Sequence, residues 1–459
     1  MFDIVTLRKA YHAAILKATE QFGKGAAIWP AHMVRLAVPL IAGNILQQLY
    51  NTADALILGR FAGSTEFAAV GVAGSVMNLF LFMITGACTG VSVLFSQFYG
   101  ASDLDSFRRE HALALWLGAG VALACGGLGF ALLPLLLRVI QTPAELMAPV
   151  SAYMRVIFSA LLATFLYNLY SALLRAIGQA HIALLALAAA VAVNLGLDLW
   201  FVGGLGFGIM GAAWATAISQ GLSALLCILY LRRAAPELLF HKSDMRPQLR
   251  LLGRTVRLSA VTALHQSSLY IGKLLVQGAV NTGGTEMIAA YTATSRIEGF
   301  ANSFGDSGSA ATSVLVGQNI GAKKSERVKG SFRASLILMI GMGIASSLIL
   351  YVSAGAAVGF MLGHTGGIDY ENAVAYIRLI AVFYTLCFMG NTFAGYFNGI
   401  GRVDIPLIGA TSHITLRVVL SWLLVGRMGL PAVALATGLG WVLVNVLWAL
   451  VKRCSRPLQ

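Results

Sequence analysis

Charged side chains are scarce in this chain. Asp, Glu, Lys and Arg supply 11% of its 459 residues, less than half of the ~25% that a soluble domain carries. Hydrophobic residues supply 58%, and the mean hydropathy is +0.79. So little charge cannot cover a water-facing surface of this size, which excludes an ordinary cytosolic enzyme and a disordered chain. The composition instead predicts a polytopic membrane protein.

Cysteine patterns and nucleotide-binding motifs are also lacking. The five cysteines are scattered, and none forms the CxxC or Cys/His spacing typical of a zinc site. The low charge also excludes a disulfide-stapled secreted domain, and because four of the cysteines lie in apolar runs we interpret them as small apolar packing residues. The phosphate-binding spacing GxxxxGK[ST] is absent, which argues against a pump driven by ATP.

Long apolar runs dominate the remaining sequence. A membrane span needs about 20 mostly apolar residues, and the runs divided at polar breaks predict twelve spans. These are 34–58, 67–98, 107–137, 147–173, 180–203, 207–231, 255–281, 287–319, 331–362, 373–397, 403–426 and 430–451. Residues 1–33 lack the uninterrupted apolar core of a signal peptide and are predicted to be a cytoplasmic N-terminal segment.

The positive charges are concentrated in the segments predicted on one side of the membrane. Of the 32 Lys and Arg residues, 24 lie in the N-terminal segment, the even-numbered loops and the tail, and five lie on the other side. By the positive-inside rule, both termini then face the cytoplasm of a cell (inner) membrane. The net charge of +14 is thus explained by topology and by lipid contact, and no nucleic-acid partner is expected.

The two halves of the chain repeat each other. Residues 92–101 recur as 313–322, and residues 153–178 parallel 376–401, at offsets of 221 and 223. Because six is an even number of spans, the duplicated six-helix units have the same orientation, an arrangement found in secondary transporters. We therefore predict an all-α protein with two pseudo-symmetric lobes. Its parts are the N-lobe (34–231), a cytoplasmic linker (232–254), the C-lobe (255–451) and a cytoplasmic tail (452–459).

Carboxylates inside the spans are few. Only Asp54, Asp198, Glu298 and Asp306 of the 18 acidic residues lie well inside predicted spans. A charge at mid-membrane costs at least ~2.5 kcal/mol, and such residues usually face an interior cavity and carry function. A buried structural role is the alternative for each of them.

Polar stripes accompany these carboxylates. In the first span, Asn44, Gln47, Asn51 and Asp54 are spaced for one helix face, which we expect to point into the lobe because lipid cannot satisfy amides. Asn194 and Asp198 are four residues apart in the fifth span, and Thr216 lies on a hydroxyl stripe of the sixth. Two carboxylates among amides and a hydroxyl can take up a proton or hold a small cation.

The second half is polar in a different way. The seventh span carries Gln266, Tyr270 and Lys273, and the eighth carries Glu298 and Asp306. A lone Lys273 would be costly in a membrane, so we predict that it pairs with Glu298 or Asp306. A structural ion pair and a substrate site are both compatible with this pattern.

Several motifs resemble those of the multidrug and toxic compound extrusion (MATE) transporters. The first-span motif is Gln48-Leu49-Tyr50-Asn51-Thr52-Ala53-Asp54 followed by Gly59-Arg60, and the fifth-span motif is Asn194-Leu195-Gly196-Leu197-Asp198. The segments 206–216, 97–101, 318–322 and 296–298 also fit, so the resemblance covers nearly the whole chain.

The resemblance implies export of cationic or amphiphilic compounds, driven by inward flow of H⁺ or Na⁺. Within the family, the branch named after a DNA-damage-inducible protein has its cation site at positions that match Asp54, Asn194, Asp198 and Thr216. Another branch uses acidic residues in the seventh and tenth helices, which this chain lacks. Leu199 stands where many relatives have proline, a difference that bears on the local bend and not on the cation ligands.

We therefore expect an antiporter that alternates access between its lobes, works as a monomer, and is not an enzyme. No cofactor and no metal are expected beyond the coupling H⁺ or a Na⁺ at the four residues named above. Phe388 is a further candidate for the aromatic cleft wall. The predicted substrate cleft comprises Gln47, Tyr50, Asn51, Tyr167, Asn168, Gln266, Tyr270, Lys273, Tyr291, Glu298 and Asp306.

Two other functions fit parts of the sequence. A flippase or exporter of a lipid-linked or polar metabolite would share the fold, although such proteins often carry several cleft arginines. A membrane acyltransferase is suggested only by His364 and Asp369, which match an HxxxxD pattern in a short loop.

Overall fold

A computed structural model describes residues 28–139, 142–245 and 248–454 of the chain. Most of the predicted N-terminal segment (1–27), the end of the tail (455–459) and two linker residues (246–247) lie outside the described ranges. Within the described ranges the chain is almost entirely helical and contains no β-strand.

The described long helices form twelve units when one bent pair is counted as a single unit, and these units match the twelve predicted spans. The fourth span, α4, is a pair of arms, Ala144–Ser159 and Leu161–Ala176, bent by 47° at Ala160. The fifth, α5 (Ala180–Asp198), continues into a π-helical turn, Leu199–Gly204. The other helices are α1 Ile28–Phe61, α2 Ser64–Gly100, α3 Leu104–Val139, α6 Gly208–Ala234, α7 Leu249–Asn281, α8 Gly284–Gly321, α9 Ser325–Leu362, α10 Ile368–Gly399, α11 Asp404–Met428 and α12 Pro431–Cys454.

Three of these helices are less apolar than the rest. Among the described residues, eight helices are long and apolar enough to cross a membrane, and the bent pair α4 brings the number to nine. The helices outside that set are α1, α7 and α8, which carry the polar stripes seen in the sequence. Because lipid cannot satisfy amides and carboxylates, these three helices must turn their polar faces toward protein or toward an interior space.

The duplication is visible in the backbone of the turns. Left-handed residues recur at the repeat offset: Ser102 (φ 56°) matches Lys323 (φ 55°), and Gly178 (φ 84°) matches Gly401 (φ 82°). Left-handed φ is costly for residues other than glycine, so its recurrence at Ser102 and Lys323 shows that the two helix ends share one turn geometry.

The first helix of each half begins on the opposite half. Met33 is fully buried in the core of the second half and accepts a hydrogen bond of 3.5 Å from the Ser335 hydroxyl of α9. Thr255, 222 residues later, donates a hydrogen bond of 2.7 Å to the buried Glu110 carboxylate of α3. The start of α1 therefore contacts the C-lobe, and the start of α7 contacts the N-lobe.

The linker lies against the N-lobe at the end of the bundle where α2, α6 and α8 terminate, which we call the basic end. Leu238 is buried, and its carbonyl oxygen lies 3.2 Å from the His111 ring nitrogen Nδ1 of α3. Arg108 pairs with Asp244 at 3.4 Å. These contacts position the start of α7 beside α2 and α3.

Candidate functional site

Two carboxyl groups face each other inside the N-lobe. Asp54 lies on α1, and Asp198 is the last residue of α5, fully buried. The two carboxyl groups lie close enough to interact electrostatically. Two ionised carboxylates at such a distance repel, and a proton or a cation between them relieves that repulsion.

A polar ring surrounds this acidic pair. The Tyr50 hydroxyl lies 3.1 Å from the Thr216 hydroxyl oxygen, which joins α1 to α6. Asn194, one turn before Asp198, is buried beside Tyr50. The four residues predicted as cation ligands thus come together in space, and Tyr50, predicted for the cleft, belongs to the same cluster.

Several oxygens of the cluster make no hydrogen bond. Asp54 Oδ1, both Asp198 oxygens and the Asn194 amide oxygen are buried without a partner among the described residues, as is the Asn194 amide nitrogen. Buried polar atoms are normally paired, so unpaired ones in a group suit a missing proton or ion. The set is composed of hard oxygen donors, which suits H⁺ or Na⁺ better than a transition metal. Elsewhere in the described chain no group of three or more His, Cys, Asp and Glu side chains gathers as a metal site.

Local packing fixes the cluster in place. Leu58 of α1, Val202 of the π-helical turn and Ala212 of α6 form a small apolar core next to the acidic pair. The π-helical turn follows Asp198 directly, where Leu199 replaces the proline common in the resembling family. A π turn widens the helix locally and is frequent at functional sites.

The polar stripe of α1 does not point in one direction. The Asn44 amide donates to the Ser307 hydroxyl of α8 at 2.9 Å, across the lobe boundary, whereas Asp54 faces Asp198 in its own lobe. Ten residues along an α-helix leave about 80° between two side chains, because the helix turns by 100° per residue. The expectation that the whole stripe points into the N-lobe is therefore wrong for Asn44.

A second buried polar network lies in the C-lobe. The Tyr376 hydroxyl of α10 donates to Glu298 Oε2 at 3.1 Å. Arg417 of α11 lies close enough to attract the Glu298 carboxylate and close to the Tyr291 hydroxyl. Tyr291 and Tyr376 also make an edge contact with ring centroids 6.4 Å apart. Glu298 is thus held by a half-buried cation and a hydroxyl.

The pattern of polar residues along the sequence did not identify Arg417 as the cation that pairs with Glu298. The signal was present in the repeat, because Arg417 occupies the position of Asn194 at the offset of 223, and Ser421 that of Asp198. The C-lobe therefore carries a cation where the N-lobe carries the amide of its acidic cluster.

The other predicted cleft residues lie on several helices and differ in their burial. Gln47 donates to the exposed Asn51 at 3.3 Å, and Gln266 is half-buried on α7. Tyr167 packs on the N-lobe core near Arg175, and Asn168 accepts a 3.3 Å hydrogen bond from Thr85 of α2. The sequence placed Tyr291 and Phe388 on the cleft wall, whereas both are buried in the C-lobe in this conformation.

Lys273, eight residues before the end of α7, and Asp306, near the middle of α8, are both exposed. Lys273 lies within electrostatic range of both Asp306 and Glu298, the two partners predicted for it. Among the described ion pairs it makes no direct salt bridge with either. Tyr270, one turn before Lys273, stacks on Phe82 of the N-lobe with centroids 5.4 Å apart.

The lobes meet tightly at the basic end. The Gln97 amide donates to the Gly399 carbonyl at 3.1 Å, and the Gln318 amide donates to the Ala176 carbonyl at 2.8 Å. Gly100 and Gly321 allow α2 and α8 to cross: a Cβ on Gly321 would lie 1.8 Å from the Gln97 carbonyl oxygen. Only glycine fits at this crossing.

Comparison with known proteins agrees with this architecture. The MatE family model matches residues 39–200 and 260–423, one segment in each half. The chain belongs to the MatE family. Members of this family are efflux transporters and not enzymes, and this MatE protein is accordingly a multi-pass membrane transporter.

Similar proteins cover the chain nearly end to end. The "Probable multidrug resistance protein YpnP" of Bacillus subtilis is 24% identical over 92% of this chain and 95% of its own length. The "Multidrug export protein MepA" of Staphylococcus aureus is 21% identical over 91% and 89%.

Solved structures share the fold of this MatE protein. One described as the "Outward-facing conformation of a multidrug resistance MATE family transporter of the MOP superfamily" has a TM-score of 0.87 at 22% identity, over 94% of this chain and 97% of that one. A Pyrococcus furiosus transporter with "reverse polarity of binding pocket" has a TM-score of 0.84 at 23% identity, over the same shares of the two chains.

Proposed function

We propose that this MatE protein is an antiporter that exports cationic and amphiphilic compounds in exchange for inward H⁺ or Na⁺. The facing carboxyl groups of Asp54 and Asp198 carry the proposal. Their unpaired oxygens gain a favourable partner when one proton or one monovalent cation binds between them, and lose it when the ion leaves. Binding and release therefore change the charge of the N-lobe interior, which biases its packing between two states.

The membrane gradients supply enough energy for this exchange. One charge that moves inward gains ~2.3 kcal/mol per 100 mV, and each unit of pH difference adds ~1.4 kcal/mol for a proton. An export of substrate against a tenfold gradient costs about 1.4 kcal/mol. For a substrate without net charge a single coupling ion is therefore sufficient. A monovalent cation carries one charge outward and cancels the electrical gain, so one unit of pH difference then balances a tenfold gradient.

The orientation of the chain completes the proposal. The basic end carries most of the Lys and Arg residues, so by the positive-inside rule it faces the cytoplasm of the cell membrane. The Gln97 and Gln318 contacts then close the cytoplasmic side of the cleft, and substrate leaves from the opposite side. Export requires these contacts to open and re-form in each cycle.

Transport by purified protein in liposomes tests the coupling. A fluorescent cation is loaded on one side, and pH and Na⁺ gradients are imposed separately. We expect one gradient to drive export by the wild type, and Asp54→Asn or Asp198→Asn to abolish that drive because an amide cannot release a proton or neutralise a cation. Glu326→Gln is the matched control, since this carboxylate is 85% exposed on α9.

The outcome decides the assignment. Wild-type rates in both Asp54→Asn and Asp198→Asn would show that the acidic pair is not the coupling site. Export by the wild type that is independent of both gradients would remove the antiport proposal altogether.

A further inference from the structure

The charges of the C-lobe divide into a closed pair and an open pair. Glu298 is buried, and its carboxylate is held by the Tyr376 hydroxyl at 3.1 Å and by the nearby Arg417. Lys273 and Asp306 are both exposed and share no direct salt bridge. One ammonium and one carboxylate therefore remain available to a ligand.

Contacts of neighbouring residues on α7 and α8 place the open pair near the boundary between the lobes. Tyr270, one turn from Lys273 on α7, stacks on Phe82 of the N-lobe. Ser307, next to Asp306 on α8, accepts a hydrogen bond from Asn44 of α1. A lipid-facing position would also be costly for both charges at this depth.

The pair has the chemistry to hold a molecule that carries both signs of charge. An ammonium has three donors and no acceptor, and a carboxylate has only acceptors, so each binds the opposite charge on a ligand. The stacked rings of Phe82 and Tyr270 add an aromatic surface beside Lys273, which suits the flat apolar part of an amphiphile.

A ligand with a cationic group alone uses only half of this arrangement. It would pair with Asp306 and would leave its own charge close to the Lys273 ammonium, which repels it. A zwitterion compensates both protein charges and repays more of the cost of removing them from water.

We propose that Lys273 and Asp306 form a subsite for zwitterionic amphiphiles, in which Lys273 binds the anionic group of the substrate and Asp306 its cationic group. This inference rests on the proposed export function and names a substrate class for it.

A matched pair of dyes tests the subsite. Rhodamine B carries a cationic ring system and a free carboxylate, and its ethyl ester lacks the negative charge. Fluorescence anisotropy of each dye with the purified full-length protein gives two dissociation constants without any gradient. In Lys273→Gln we expect the dissociation constant of rhodamine B to rise about tenfold, the cost of one charge-assisted hydrogen bond. That of the ester should change less than twofold.

Two variants control for fold and for surface charge. Lys273→Arg keeps the cation and should bind rhodamine B within about threefold of the wild type. Lys329→Gln removes a lysine that is 66% exposed at the basic end and should leave both constants unchanged.

Other results would overturn the subsite. These are no binding of rhodamine B by the wild type, equal effects of Lys273→Gln on both dyes, or no effect on rhodamine B. The result is separable from the proposed function: selective loss of rhodamine B binding with no gradient-driven export would keep the subsite and reject the antiporter. Gradient-driven export by the wild type, together with equal effects of Lys273→Gln on the binding of both dyes, would reject the subsite and keep the antiporter.

Discussion

Gln97 and Gln318 occupy equivalent positions in the two halves, and each donates its side-chain amide to a backbone carbonyl of the other lobe. Their acceptors, Gly399 and Ala176, are themselves equivalent, with distances of 3.1 and 2.8 Å. The basic end is therefore closed by two hydrogen bonds, one donated from each half, at positions related by the duplication. Gln97 Oε1 also accepts a 3.2 Å bond from Arg254 at the start of α7.

Loss of either amide should favour opening of the basic end. A hydrogen bond between lobes contributes roughly 1 kcal/mol, so Gln97→Ala and Gln318→Ala should each shift the ratio of closed to open molecules about fivefold. Spin labels at Asp105→Cys and Glu326→Cys, both exposed at this end, report the distance between lobes by pulsed electron resonance. The control is Gln277→Ala, because Gln277 bonds Asn281 of its own helix. Unchanged distance distributions in both amide variants would contradict the closure by these residues.

The glycine crossing should be still less tolerant. A methyl group at Gly321 would lie 1.8 Å from the Gln97 carbonyl oxygen, which forces α2 and α8 apart. We expect Gly321→Ala to depopulate the closed distance measured with the same labels. Gly341→Ala on α9 is the control, since a Cβ there meets nothing within 4 Å. If the two variants gave the same distances, the close crossing would have no part in closure.

Tyr50 and Thr216 should act as one unit in the acidic cluster. Their hydroxyls are 3.1 Å apart, and removal of either one breaks the same bond. Tyr50→Phe and Thr216→Val should each reduce gradient-driven export, and the double variant should be no worse than the more impaired single one. Effects that multiply in the double variant would show that the two hydroxyls act independently.

Arg417 should matter for stability through Glu298. Arg417→Met leaves a buried carboxylate without its cation, which costs roughly 3 kcal/mol. The added change Glu298→Gln removes that charge, so the double variant should unfold at a higher temperature than Arg417→Met alone. Thermal unfolding in detergent measures both. A double variant no more stable than the single one would contradict an electrostatic cause.

The span count and the duplication could be predicted because each depends on patterns along the chain. Apolar runs report lipid contact, and a constant offset reports a repeated unit. The clustering of Asp54 with Asp198 was also within reach, since few carboxylates lie in spans and each must face inward.

Other features depend on how helices cross, which spacing alone does not reveal. Asn44 faces α8 because about 80° of helix rotation separates it from Asp54. Tyr291 is buried because Arg417 and Tyr376, on helices distant in sequence, pack around it. The tight approach at Gly100 and Gly321 has no sequence signal beyond two glycines among the fifty in the chain.

The exchanged starts of α1 and α7 have a consequence for biosynthesis. Glu110 is buried in the half that the ribosome makes first, yet its hydroxyl partner Thr255 emerges 145 residues later. Met33 meets Ser335 only after a further stretch, 302 residues from its own position. Neither half can complete its packing alone. The N-lobe of the nascent chain therefore remains incompletely packed in the bilayer until the second half has been inserted beside it.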